Sequence, residues 1–162
     1  MLPRMLSRKW IGTISVAVLI GISASACLPD MGPAPTADAY QRGMFDAVNR
    51  DRVNSGLLPL TFSPKLSVLA GGHSCDMQRA GHLFHSDLTA TLDNPDYAAY
   101  WTLGENVAVG SSDMTPSALE DTWMASPTHQ ANIVNPNFNV VGMAACFAAD
   151  GRVWATQEFG AL

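Results

Sequence analysis

The chain has 162 residues, 48% of them hydrophobic, with nine Lys and Arg against fourteen Asp and Glu and a net charge of −5. That length and apolar content fit one globular domain with attachments. Without residues 1–26, six basic residues remain and the net charge is −8, a balance that excludes nucleic-acid backbones and electrostatic adhesion to anionic lipid.

The N-terminus reads as a secretory leader. Arg4, Arg8 and Lys9 precede an apolar run from Trp10 to Ile22, followed by Ser23, Ala24, Ser25 and Ala26; the run is too short for a stable span. Cleavage after Ala26 makes Cys27 the first residue of the exported form. Two readings stay open: plain secretion after the small Ala24-Ser25-Ala26 site, or a lipobox in which Cys27 carries lipid although Ala24 stands where Leu is usual. If Cys75 and Cys146 pair, Cys27 is the remainder of three, which favours lipidation. Residues 27–37 hold Pro29, Pro33 and Pro35 with Gly32 and Ala34, the composition of an extended tether, and a domain is expected over 38–162.

Thr36 to Ser55 predicts a first helix, with Tyr40, Met44, Phe45, Ala47, Val48 and Val53 inward and the intervening Arg and Asp residues facing water; Gly56 stops it. Leu58 to Phe62 reads as an extended connector. Ser63 caps a second helix with Pro64 at its first position, and Leu66, Leu69, Ala70, His73, Met77 and Ala80 form its inner face up to Gly81. His82 to Val109 reads as a long irregular segment with an aromatic knot of Tyr97, Tyr100 and Trp101; so long a loop is usually functional. Thr115-Pro116 starts a third helix that Ser126-Pro127 ends. Asn139 to Phe147 and Arg152 to Phe159, joined by Asp150-Gly151, predict an antiparallel hairpin. The fold class is α+β.

Three residues stand out as a candidate site. His85 follows the second helix, Glu105 lies in a turn-forming Gly104-Glu105-Asn106 setting, and His129 sits in the first turn after Pro127, where Asn132 is placed to orient it. Two imidazoles and a carboxylate suit a divalent ion such as Zn2+ with water completing the shell. The bland reading is surface histidines with ordinary hydrogen bonds. His73 reads as a satisfied histidine on an apolar helix face, and His82 as a helix-end surface residue.

In order along the chain, Leu60-Thr61-Phe62, Leu69-Ala70, His73-Ser74, Phe84-His85-Ser86, Gly104 to Ala108, Trp123-Met124, Ser126-Pro127, His129, Asn132-Ile133, Phe138, Val141-Gly142 and Trp154-x-Thr156-Gln157 form a pattern. Over roughly residues 38–160 it resembles the CAP superfamily of cysteine-rich secretory proteins, antigen 5 and pathogenesis-related proteins, in its compact bacterial SCP-like form. The resemblance implies an α-β-α sandwich with a small antiparallel sheet and a cleft of two His and two Glu that holds a divalent ion in some members. His85, Glu105 and His129 match three of the four. Ser126 stands where the second Glu is expected, and Glu120 lies one turn earlier, so weak metal binding is expected. Ser126, Glu120, Asn132 and Gln157 are the remaining cleft candidates.

A Cys75–Cys146 disulfide is expected to tie helix to sheet, the alternative being two buried thiols. Three functions are carried forward: an envelope-anchored, non-catalytic monomer binding a lipid, sterol-like or cell-wall ligand; a metal-dependent hydrolase with Glu105 as general base; and an interaction module in which His and Glu brace the loops.

Overall fold

A computed structural model describes residues 36–162. The expected leader, Cys27 and the tether up to residue 35 lie outside the described residues. Helix α1 spans Ala37–Asn54, with the Thr36 hydroxyl accepting from the Ala39 amide and Gly56 at φ 77° just beyond Ser55. Strand β1 (Thr61–Phe62) leads into α2 (Pro64–Ala80), capped by Ser63 and closed by left-handed Gly81. Short helix α3 (Leu88–Asp93), a single 3-10 turn (Pro95–Tyr97) and strand β2 (Thr102–Ser111) follow. Helices α4 (Pro116–Met124) and α5 (Pro127–Ile133) precede the hairpin β3 (Val140–Phe147) and β4 (Arg152–Ala161).

The four strands form one sheet in the order β1-β3-β4-β2, with β1 parallel to β3 and the other pairs antiparallel. The predicted hairpin is therefore the centre of a mixed sheet rather than the whole of it. Two strands escape sequence reading for different reasons. β1 is two residues long and has no alternation to detect. β2 contains Gly104 and Asn106, which read as turn residues, yet all ten of its residues are paired with β4. Gly104 pairs with Phe159 in the ladder, and a Cβ there would lie 2.8 Å from the Phe138 ring and 3.1 Å from Asn132 Oδ1. It serves close packing, not chain reversal.

Strand alternation divides the core into two faces. Tyr40, Met44 and Val48 of α1, Leu119 and Trp123 of α4, and Ile133 of α5 pack with Val141, Met143, Val153, Ala155 and Phe159. On the other face α2 lays Leu66 against Tyr100, Leu103 and Val140, and Met77 against Val107 and Trp154. Cys75 of α2 and Cys146 of β3 are disulfide-bonded with Cα atoms 5.2 Å apart, fastening that helix to the sheet. In α2, Ala80 is exposed rather than inward. In α1, Val53 is exposed and Arg52 is buried, the reverse of the expected pattern.

The inversion at Arg52 has a physical cause. Its Nε donates to Leu58 O at 3.0 Å, Nη1 to Ile133 O and Asn135 O at 2.8 and 2.9 Å, and Nη2 to Phe138 O at 3.2 Å. Two of those carbonyls lie at the C-terminal end of α5, where a positive charge is favoured. One planar fork thus satisfies four carbonyls that irregular chain would otherwise leave without donors. Arg52→Met is expected to lower unfolding free energy by at least about 3 kcal/mol, since each orphaned buried acceptor costs about 1–3 kcal/mol. Asp121→Ala, which removes the exposed partner of Arg50, is expected to cost less than about 1 kcal/mol; urea denaturation of both variants checks the contrast.

Candidate functional site

The register of β2 on β4 sets Glu105 opposite Glu158 and Asn106 opposite Gln157. Neighbouring residues on a strand point to opposite faces, so this one ladder feeds two polar networks, one on each side of the sheet.

On the α2 face, Glu105 is buried and fully engaged. Its Oε1 accepts from His85 Nδ1 at 2.6 Å and from the Ser86 amide at 3.0 Å, and its Oε2 accepts from Ser86 Oγ. His73 Nε2 lies 3.4 Å from Oε2 and donates to Phe84 O at 2.8 Å, an acceptor that fixes the proton on Nε2. The His73 ring also meets Phe84 edge-on with centroids 4.9 Å apart. His73 is therefore a satisfied rim histidine that adjoins the site. His82 is exposed and, among the described residues, bonded only to its own turn, through Ala80 O.

Burial pushes the Glu105 pKa up, but the bonds from Ser86 Oγ, His85 and the Ser86 amide outweigh it and hold the carboxyl below its usual range. The ionised carboxylate takes the His85 Nδ1 proton as donor. That leaves Nε2 as the basic nitrogen on a side chain that is 63% exposed. Glu158, on the same face, has the opposite chemistry: burial first, and then the Glu105 charge, raise its pKa to about 10. Neither of its oxygens has a hydrogen-bond partner among the described residues, so nothing there offsets the cost of burying the charged form. Glu158 and Ser86 are site residues the sequence reading missed. The available signal for Glu158 was an acid inside the apolar strand Val153–Ala161.

On the opposite face, Asn106 Nδ2 donates to His129 O and Gln157 Oε1, both at 3.1 Å, and Gln157 Nε2 donates to Glu120 Oε2 at 2.5 Å. Asn132 Nδ2 donates to Asn106 Oδ1 at 2.9 Å and to Glu105 O at 3.0 Å. Asn132 thus fixes α5 to β2 instead of orienting the His129 ring. Glu120 and Gln157 are fully buried, so they belong to the core and not to an open cleft. Ser126 starts α5 without a side-chain cap and its Oγ lies 3.2 Å from Thr128 Oγ1; no acid replaces it. Burial, and secondarily the His85 charge, lower the His129 pKa.

Of the three residues singled out from sequence, the structure joins His85 directly to Glu105. His129 approaches from the other side of β2 on α5. No group of three or more His, Cys, Asp or Glu side chains among the described residues is arranged to hold a metal ion. The donor chemistry agrees: Glu105 is occupied on both oxygens, and two imidazoles alone fall short of the three or more protein ligands usual for zinc.

Burial also raises the Glu120 pKa, to about 8, against which the Gln157 bond works only partly; Oε1 has no partner among the described residues. From its ordinary value of 4.5 up to about 8, the unfolded chain releases this proton while the folded chain keeps it. Stability contributed by Glu120 is therefore present below the lower value and lost as pH rises through the upper one. Glu120→Gln is expected to melt at least about 3 °C above the parent near pH 8, with the difference closing toward pH 4.5; calorimetry across that range is the check.

Known proteins share both the sequence pattern and the fold. The cysteine-rich secretory protein (CAP) family model matches residues 45–159. The protein YkwD of Bacillus subtilis (strain 168), described as uncharacterized, is 32% identical over 132 residues, covering 78% of this chain and 50% of that protein. The chain thus spans about half the length of the curated relative it matches. Among solved structures, an outer surface protein from Borrelia burgdorferi superposes with a TM-score of 0.69 at 16% identity, covering 81% of this chain and 98% of that one. An extracellular protein containing a SCP domain from Bacillus anthracis strain Ames gives 0.64 at 25% identity, covering 81% of this chain and 45% of its own. With helices on both faces of its small sheet and the family match over residues 45–159, the chain belongs to the CAP family of cysteine-rich secretory proteins.

Proposed function

We propose that this protein is an exported, non-catalytic CAP domain, held at the cell envelope through lipidated Cys27, that binds an envelope ligand at a rim formed by His85, His129, Leu83 and Phe84. The observation that carries this reading is the engagement of both Glu105 oxygens in a buried setting. A general base needs an accessible oxygen and a pKa near the working pH. Glu105 has both oxygens bonded and a pKa held low.

Ser86 offers no nucleophile either, because its hydroxyl is directed at Glu105 Oε2 and no imidazole is bonded to it among the described residues. Glu105 acts instead as a brace that pins residues 85 and 86 to β2, leaving the His85 imidazole facing solvent. Leu83 and Phe84 are 42% and 38% exposed beside it, so the rim combines apolar surface with hydrogen-bonding nitrogens. Such a surface fits an amphipathic lipid, sterol-like or cell-wall component. A divalent ion, in this reading, meets only the two imidazoles and binds weakly. Among the described residues no helix is long and apolar enough to cross a membrane, and membrane attachment is assigned to the Cys27 lipid alone.

The test uses the Cys27→Ser form, which carries no lipid, with purified peptidoglycan and with uncharged phosphatidylcholine vesicles. Retention on one of these matrices is expected to fall roughly tenfold, about 1.4 kcal/mol, in His85→Ala and Phe84→Ala while both variants keep their fold. Glu105→Gln is expected to lose about 2 kcal/mol of stability, the scale of a hydrogen bond to a charged group. Zinc-dependent cleavage of peptide or peptidoglycan that disappears in Glu105→Gln would overturn the reading.

Lipidation has its own check. Cys27→Ser is expected to move the protein from the membrane fraction to the soluble exported fraction, and an unchanged distribution would remove the anchor from the proposal.

A further inference from the structure

The connector after α1 and the segment after α5 line a half-open cavity of about 440 Å3 that contains neither His85 nor His129 in its wall. That volume falls in the range of small-ligand sites. Leu58, Pro59, Pro136 and Phe138 give it apolar walls, Asn139 contributes a polar side chain, and among the described residues Arg52 is the only charged one lining it. Arg52 is 2% exposed.

A guanidinium buried to that degree is ordinarily paired with a carboxylate. The four partners of Arg52 are neutral carbonyls, and those bonds occupy four of its five N–H groups. No carboxylate forms a salt bridge with it among the described residues. Consistently, burial alone shifts its pKa, downward, with no acid opposing it. Leu58 is 83% exposed although it lines the cavity, an apolar side chain standing at the mouth where an aliphatic group would meet it. The chemistry of the cavity is thus one buried positive charge with one N–H left unbonded among the described residues, next to branched and ring hydrocarbon.

We propose that this cavity is a second binding site, separate from the imidazole rim, that takes a carboxylate carried on a short branched aliphatic group, with Arg52 supplying the charge and Leu58 the apolar contact at the mouth. A compact anion fits better than a phosphate, because one remaining N–H and a single unpaired charge match a singly charged group. The apolar walls require hydrocarbon next to it. The C-terminal leucine of a peptide and a free branched-chain acid share this chemistry.

Titration of the isotope-labelled intact protein, followed by amide NMR shifts, tests the site with three probes: N-acetyl-leucine, its uncharged amide, and 4-methylpentanoate. N-acetyl-leucine is expected to shift the Gly56, Leu57 and Asn139 amides saturably, with the amide analogue at least about tenfold weaker. Saturation by 4-methylpentanoate as well identifies any small aliphatic acid as the ligand class; saturation by N-acetyl-leucine alone identifies a peptide terminus. Leu58→Glu sets a negative charge at the mouth on a side chain that packs little, so it is expected to weaken binding about tenfold with an unchanged melting temperature. Arg52→Lys keeps the charge without the fork and is the complementary variant if it folds. Equal binding of acid and amide, unaltered binding in Leu58→Glu, shifts confined to the surroundings of His85 and His129, or no saturable shift with any probe would each overturn the assignment.

Discussion

The pairing of β2 with β4 is the constraint on which the rest of this molecule depends. Because Glu105 and Asn106 lie opposite Glu158 and Gln157, a slip of one residue would exchange the two faces. Glu105 would then leave His73, His85 and Ser86, and Asn106 would leave Gln157 and Asn132. A carboxylate stable only because Ser86 and His85 surround it would be buried against Leu119 and Trp123 instead. The polar networks therefore depend on one register and help to specify it. That role suits buried polar groups, whose contribution to stability is small but whose cost when mispaired is large.

Side chains also stand in where backbone partners are lacking. The outer edge of β2 is covered in part by side-chain donors: Asn132 reaches Glu105 O, and Trp123 Nε1 reaches Val107 O at 3.1 Å. At the opposite edge of the sheet, Asn49 both donates to Leu60 O and accepts from the Leu60 amide, standing in for a strand next to β1. Arg52 does the same for the irregular chain around α5. Such substitutions keep edges from pairing with other chains and let a small domain carry long irregular segments without orphaned backbone groups. They also account for the positions of Asn and Arg in segments that otherwise look like ordinary solvent-facing helix.

These braces shape what the surface can do. His85 and His129 come from segments that hydrogen bonds hold in place, and the ionised Glu105 carboxylate is already engaged by its neighbours. A rigid rim of this kind suits recognition more than turnover. Keeping Glu120 and Glu158 buried requires protonated carboxyls, and that requirement makes the fold sensitive to alkaline pH on the α4 side of the sheet as well as beneath Glu105.

The sequence by itself determined α1, α2 and the β3–β4 hairpin, because their periodicity and their caps, Thr36, Ser63 with Pro64, Gly81 and Gly151, are local signals. It also determined the family, whose pattern singled out His85, Glu105 and His129 as candidates, although that pattern could not reveal that only His85 and Glu105 are bonded to each other. Only the tertiary structure decided that Gly104-Glu105-Asn106 is strand, since Phe138 and β4 supply the reason and both lie more than 30 residues away in sequence. Tertiary structure likewise turned Arg52 inward, moved Glu120 and Gln157 from cleft to core, and brought Glu158 and Ser86 to Glu105. In each case the deciding partner is a hydrogen-bonding group distant along the chain, and no local propensity encodes where that group will be.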